Sequence, residues 1–481
     1  MNVKGFTLKA AFAGLAICIA LFYSCKDEEL DLSYSLLPEG ELLKGNDTLL
    51  RIKAISKEMA DYSAHYDLKE YVDGRENLLP QFPFGSVDDP NIGKYKIHNL
   101  WNCIANVYSD QAVDTGWFNF KGKIRLQVSN MYTFGDTMSL KYNIYKFTSE
   151  FPDKSDSTST FNIEDKYDVE PISTEPIGNN TRNYFVDYDG NGDPTHIDIP
   201  LSDDYVDEIL SQIIISKNGK YDTIKYDSIK TKIFNYYLQP EIASDKGGIL
   251  NYNIYNRNSY NGNYSLTPVI EFTYDRIDTI QKDPLELDTT THNLFTIVPT
   301  ELFYNVEKEY NPTVLNAINN DVPNSHLAYL QSIYGIESYL TIDSVYSFVK
   351  NNPGYLINRA EVVLPVEENF YDTDKYKLPG VIGIKKIDTE GERDWIIDIE
   401  KGIVGGGLDT VRKAYVINIT GHVIDMMSYD SLPENGDKFV IYTINNNYEN
   451  NKLIMSRAAF PTGDDASSIH LKVIYSLKPE N

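Results

Sequence analysis

A chain of 481 residues with 42% hydrophobic residues and 37 tyrosines has length for two or three domains and enough apolar surface to bury a core, which excludes an intrinsically disordered protein. Its formal net charge of −26 argues against nucleic acid as a partner and against an electrostatic grip on anionic lipid, because both repel such a surface. Two of the three cysteines, Cys18 and Cys25, fall in the N-terminal segment, leaving Cys103 with no intrachain disulfide partner, so the fold must rest on its core.

Met1 to Ser24 carries Lys4 and Lys9, then an apolar run from Ala10 to Tyr23, then the small Ser24 directly before Cys25. Basic, apolar and small residues in that order make a secretory signal. The apolar run is shorter than the roughly 20 residues a membrane span needs. A cysteine at the cleavage point resembles the lipobox of bacterial lipoproteins, whose thiol is diacylated and becomes the new N-terminus. Phe22 and Tyr23 stand where the strict lipobox has Leu and a small residue. That resemblance implies lipidation of Cys25, and losing Lys4 and Lys9 with the signal takes the charge to −28. Lys26-Asp27-Glu28-Glu29 resembles the signal that sends Bacteroidetes lipoproteins to the outer face of the outer membrane. The competing reading is a solvated acidic linker.

Residues 25–50 read as a tether. Beyond them, short apolar alternations separated by Gly, Pro, Asn and Asp indicate a mainly β chain: two antiparallel β-sandwich-like domains with a few short helices. Lys123 to Val128, Leu140 to Phe147, Leu250 to Tyr255 and His470 to Leu477 alternate most clearly. Cys103, beside Trp101 in an apolar stretch, reads as a buried small hydrophobe. Pro152 to Pro176, rich in Ser, Thr and Asp, reads as a loop. Asp203 to Gln212 predicts a helix, with Tyr205, Val206, Ile209 and Leu210 on one face and acids in the first turn. The Asp- and Thr-rich stretch 282–293 reads as a linker between an N-terminal domain, 51–281, and a C-terminal domain, 294–481. In the second domain Thr313 to Asn319, Ser325 to Ile333 and Ile342 to Lys350 read as helices. Trp395 to Ile399 and Ala414 to Ile424 read as strands.

Several of these stretches resemble a Bacteroidetes lipoprotein family, catalogued as domain of unknown function 4270. Leu78-Leu79 with Asp89-Pro90-Asn91-Ile92-Gly93 is similar to the family's Leu-Leu-Gly followed by Asp-Pro-x-Phe-Gly. Gly135-Asp136-Thr137 leading to Tyr142 through Phe147 is similar to its Gly-Asp-Ser turn and strand. Tyr329-Leu330-Gln331 with Gly335 resembles Tyr-Leu-Gln-x-x-x-Gly, and Ile357-Asn358-Arg359-Ala360-Glu361-Val362 resembles Ile-Asn-Lys-Ala-Glu-Leu. The resemblance implies an exported β-rich lipoprotein and brings no catalytic residues.

One stretch has metal-ligand spacing. Asp187, Asp189, Asn191 and Gly192, with Asp198 at the twelfth position, fit a calcium-loop template, and Asp193 supplies one more oxygen. Pro194 and the strand-like flanks favour a plain Asp/Gly hairpin turn over a calcium site. Asp followed by Ser or Thr recurs at Thr48, Thr137, Ser157, Thr223, Ser228, Thr279, Thr289, Ser344, Thr410 and Ser431. This resembles an acceptor motif for O-glycosylation in exported proteins, and turn chemistry explains it equally. Gly402 with Gly405-Gly406-Gly407 reads as a hairpin loop, and Asn258 to Tyr264 as a Tyr-rich turn. No nucleophile elbow, zinc-protease helix or phosphate loop occurs. The sequence therefore favours a non-enzymatic surface lipoprotein that binds glycan or an outer-membrane protein partner. The alternative is a hydrolase acting on polysaccharide or peptidoglycan.

Overall fold

In the computed structural model the period-2 patterns become two large antiparallel sheets. The structure describes residues 45–59, 64–67, 81–107, 111–112, 117–135, 142–147, 169–171, 196–217, 220–240, 247–253, 255–257, 264–266, 269–280, 286–319, 326–333, 335–371, 375–402, 404–444 and 455–477. The first sheet has eleven strands. Two of them are unusually long. Trp117–Gly135 pairs through its first half with Val269–Ile280 and through its second half with Gly248–Asn253. Glu286–Tyr310 pairs first with Val269–Ile280 and then with Gly93–Asn106. Each long strand therefore passes from one layer to the other and closes the sheet around a core that includes Trp101, Phe82, Tyr252 and Phe295. The second crossing has a register shift at Pro299, where the missing N–H cannot serve a ladder. Burying each large apolar side chain contributes roughly 1.5–3 kcal/mol.

The second sheet has twelve strands in two layers. One layer carries Gly45–Arg51, His470–Leu477, Tyr355–Pro365 and Ala414–Asn418. The other carries Val381–Ile387, Lys438–Ile444, Ile336–Thr341, Leu327–Gln331 and Arg457–Pro461. Gly405–Asp409 pairs with both layers and forms the corner between them. A Cβ on Gly406 would lie 2.2 Å from the Ile382 carbonyl oxygen, so only glycine lets the corner approach that strand.

Several boundaries differ from the sequence reading. Residues 286–293 are not linker but the start of the strand Glu286–Tyr310. Their β-branched threonines suit a strand whose register places Thr289 opposite Ile277. The passage to the second domain comes at Asn311 and the helix Pro312–Asn319. The segments Gly45–Arg51 and Lys53–Glu58 also belong to the second sheet, so the 51–281 domain does not begin at residue 51. Leu327–Gln331 is strand and not helix, because it pairs with Arg457–Pro461. Ile397–Glu400 is helical and not strand. The strand Ala414–Asn418 stops where Thr420–Met426 turns helical, with Gly421 N–H and His422 N–H donating to the Asp398 carboxylate at 2.6 and 2.9 Å. A short strand, Val169–Pro171, crosses the stretch read as a loop.

The helix Asp203–Ile213 forms as its pattern predicts. Ser202 Oγ accepts from Tyr205 N–H at 3.3 Å, Asp203 and Asp204 meet the dipole, and Tyr205, Val206, Ile209, Leu210 and Ile213 are buried. Cys103 is buried, and burial raises its thiol well above the ordinary range.

The two domains are fused at a polar and apolar joint. Arg457 and Asp89 form an ion pair with both side chains essentially inaccessible. The guanidinium lies 4.4 Å from the Phe370 ring centre and 5.0 Å from that of Tyr376. Ile92 is buried in the second core, whereas Ile333 and Met455 of the second domain are buried in the first core. Ile333 has φ of 53°, a costly conformation for a β-branched residue, and its carbonyl accepts from Tyr95 Oη.

Candidate functional site

Alternation along three adjacent strands of the second domain builds one face. On Val381–Ile387 the residues Ile382 and Ile384 enter the core, leaving Val381, Gly383 and Lys385 on the opposite face. On Lys438–Ile444 the same rule buries Phe439 and Ile441 and leaves Tyr442 and Ile444 outside, with Tyr442 directly opposite Gly383. On Ile336–Thr341 it turns Glu337 and Tyr339 outward. A Cβ on Gly383 would meet the Tyr442 ring at 2.6 Å, so the missing side chain lets that ring lie against the sheet.

A cleft of about 580 Å³ opens on this face. Such a volume suits a small ligand or a few linked rings. Arg393–Asp394 pairs with the end of Val381–Ile387 and carries Trp395 onto the rim, where it is 39% exposed. The Lys385 ammonium lies 4.1 Å from the Trp395 ring centre and 5.7 Å from that of Tyr442. Arg393 forms a two-pronged pair with Glu337, at 2.8 and 2.5 Å, and donates to Tyr339 Oη at 3.0 Å. Burial by itself would lower the Arg393 pKa, but Glu337 more than offsets it and the guanidinium is held charged. Gln331 closes the inner end. Its side chain folds over Gly335, where a Cβ would stand 2.6 Å from Gln331 Oε1, and that buried oxygen has no hydrogen-bond donor among the described residues. Glu337 is the one carboxylate among the described lining residues.

None of the site residues singled out in the sequence is among the described residues that line the cleft. Cys25 and Lys26, Asp27, Glu28 and Glu29 are outside the described residues, as are Asp187, Asp189, Asn191 and Asp193. Asp198 is described, on the strand His196–Pro200. Both of its oxygens are taken by cations: Lys123 Nζ at 2.8 Å and Arg125 Nε and Nη2 at 2.8 and 3.1 Å. Burial pushes this carboxyl up, but Arg125 and then Lys123 hold it at about 2. Among the described residues no group of three or more His, Cys, Asp or Glu could hold a metal ion. Among the Asp-Ser/Thr sites, Thr137 and Ser157 are outside the described residues. Ser228, Thr289, Thr410 and Ser431 are exposed, whereas Thr48, Thr223 and Ser344 are half-buried. Thr410 follows Asp409, whose carboxylate accepts from Val411 N–H and Arg412 N–H, which is turn chemistry. Thr48, Thr223, Thr279 and Thr289 lie on strands, where turn chemistry does not account for the motif.

Sequence reasoning missed the cleft, since it took the stretch around Trp395 for a strand and Gly405-Gly406-Gly407 for a loop. The usable signal was Gly383 opposite an aromatic strand position, and it appears only once register is known. Among the described residues no helix is long and apolar enough to cross a membrane. No protein-family model and no curated protein matches this sequence.

Proposed function

We propose that this chain is a lipid-anchored protein of the bacterial outer membrane, facing the exterior, whose second domain binds a saccharide segment without turning it over. The observation that carries the binding reading is the pairing of an exposed indole, Trp395, with Tyr442 along one open cleft. Flat aromatic rings beside polar groups suit the alternating C–H faces and hydroxyl edges of sugar rings. The anchoring reading rests on the sequence at Cys25 and the acidic residues after it.

A hydrolytic reading is less well supported. Glycosidases commonly work with two carboxyl groups set roughly 5–10 Å apart. The cleft offers Glu337, and a bidentate arginine already occupies both of its oxygens.

Binding of purified residues 26–481 to an array of bacterial and plant glycans tests the proposal, beside a product-release assay on the same glycans. The expected outcome is binding without turnover, weakened about tenfold by Trp395→Ala, which is roughly 1.4 kcal/mol. No binding at millimolar concentration, or binding indifferent to Trp395→Ala, sinks the cleft assignment. Product release restores the hydrolase.

A further inference from the structure

We propose that the saccharide taken by this cleft is acidic, and that Lys385 receives its carboxylate. The inference rests on the saccharide reading above and adds the charge of the ligand. Among the described residues three ionised side chains line the cleft: Glu337, Arg393 and Lys385. Glu337 and Arg393 cancel each other, since the carboxylate and guanidinium meet edge to edge through two hydrogen bonds.

Lys385 differs from its neighbours. Its ammonium rests over two ring faces and makes no ion pair among the described residues. Asp394, the carboxylate next along the rim, is paired with Lys386 at 3.1 Å and accepts from Trp395 N–H at 2.8 Å. Lys386 first, then the Trp395 N–H and, more weakly, the charge of Lys385 hold the Asp394 carboxyl below its usual range. Among the described lining residues Lys385 is thus the cation with no carboxylate in direct contact, acting on Asp394 only at longer range, in a chain whose net charge is −26. A local inversion of that kind selects for an anion and against a neutral analogue.

The rings also hold the ammonium in place. The ammonium is held beside Trp395 and Tyr442, so ordering it costs little when a ligand arrives. Its N–H donors not facing the rings have no carboxylate partner among the described residues. A uronate offers both a flat ring for the aromatic side chains of the cleft and a carboxylate at its edge for the Lys385 ammonium. An acidic peptide matches the charge but has no flat ring to lay on the indole. The geometry therefore favours the sugar.

Calorimetric titration of residues 26–481 tests this, using oligomers of galacturonate, glucuronate and mannuronate, each beside its carboxyl-reduced neutral counterpart. At least one uronate series should bind about tenfold or more tighter than its neutral counterpart, as a charge-assisted hydrogen bond implies. The preference should shrink in 0.5 M salt, disappear in Lys385→Gln and persist in Lys385→Arg, while Trp395→Ala weakens both members of a pair. Unchanged melting temperatures for the Lys385 variants separate lost recognition from lost folding. Equal binding of charged and neutral members, or a preference that survives Lys385→Gln, overturns the charge inference but leaves the saccharide reading standing. Tetraglutamate binding as tightly as the best uronate assigns the cleft to acidic peptides and overturns both. Failure of every glycan, charged or neutral, also overturns both.

Discussion

Arg457 shows how much one side chain decides at the joint between domains. It lies 368 positions from Asp89, its partner. Asp89 also accepts from Asn91 N–H at 2.8 Å, so the Asp-Pro-Asn-Ile-Gly stretch folds its own turn around the carboxylate. Burial raises the Asp89 carboxyl despite the neighbouring guanidinium, which means that the ion pair does not fully offset desolvation. Arg457→Met should therefore cost about 3–5 kcal/mol by leaving a buried carboxylate unpaired, and Asp89→Leu combined with Arg457→Met should recover much of it. Urea unfolding of the three proteins measures this, and a loss below about 1 kcal/mol for the single change would refute it. The motif around Asp89 was visible in the sequence, but its partner was not. Pairing between residues so distant in the chain leaves no local pattern.

Elements set by their own side chains were legible. The helix Asp203–Ile213 has its cap, its acids and its apolar face within twelve residues. The strands around Lys123, Tyr142 and His470 alternate between buried and half-buried side chains over four residues. Elements set by remote partners were not legible. The helix Thr420–Met426 depends on Asp398 as its N-terminal acceptor, and the strand at 286–293 depends on pairing with Val269–Ile280. Ionic pairing also joins the strand His196–Pro200 to Trp117–Gly135 through Asp198. An aspartate titrates at 3.8 when unperturbed, and folded Asp198 at about 2. Its ion pairs therefore contribute stability that is present above 3.8 and lost as pH falls through about 2. Because the carboxylate is part-exposed, that contribution is about 1 kcal/mol after screening. Asp198→Asn should lower the urea midpoint at pH 7, and the gap from the unaltered protein should close as pH falls to 2. A gap that stays constant across this range would argue against the ion pairs as its source.

Across the whole molecule, β content and two-domain organisation were legible because they follow from composition and period. The division between the domains was not, because the chain enters the second sheet at Gly45–Arg51, leaves it for the first, and returns after Tyr310. The cleft went unseen for the same reason: Gln331, Gly383, Trp395 and Tyr442 share a face only after several strands are in register. Anchoring also belongs to this scale. Cys25→Ala should leave the protein soluble or uncleaved and abolish fatty-acid labelling, since the proposed thioether lipidation has no substitute acceptor. Altering Lys26, Asp27, Glu28 and Glu29 together to Ala should keep the label and lose protease accessibility on intact cells. A labelled Cys25→Ala protein would end the lipoprotein reading.

The strand nearest the proposed anchor has a mechanical consequence. Among the described residues Gly45–Arg51 is an edge strand that pairs on one side, through seven residue pairs with His470–Leu477. Its side chains are mostly exposed, so few apolar contacts resist its removal. Directly behind it, Ile52 is fully buried and Lys53–Glu58 pairs with Ile336–Thr341. If Cys25 carries the proposed lipid, tension on it would peel the edge strand first and stop at Ile52. Seven released residues lengthen the leash by about 23 Å at 3.3 Å each. The body could then follow a receding ligand or yield to shear at the cell surface while both cores stay shut.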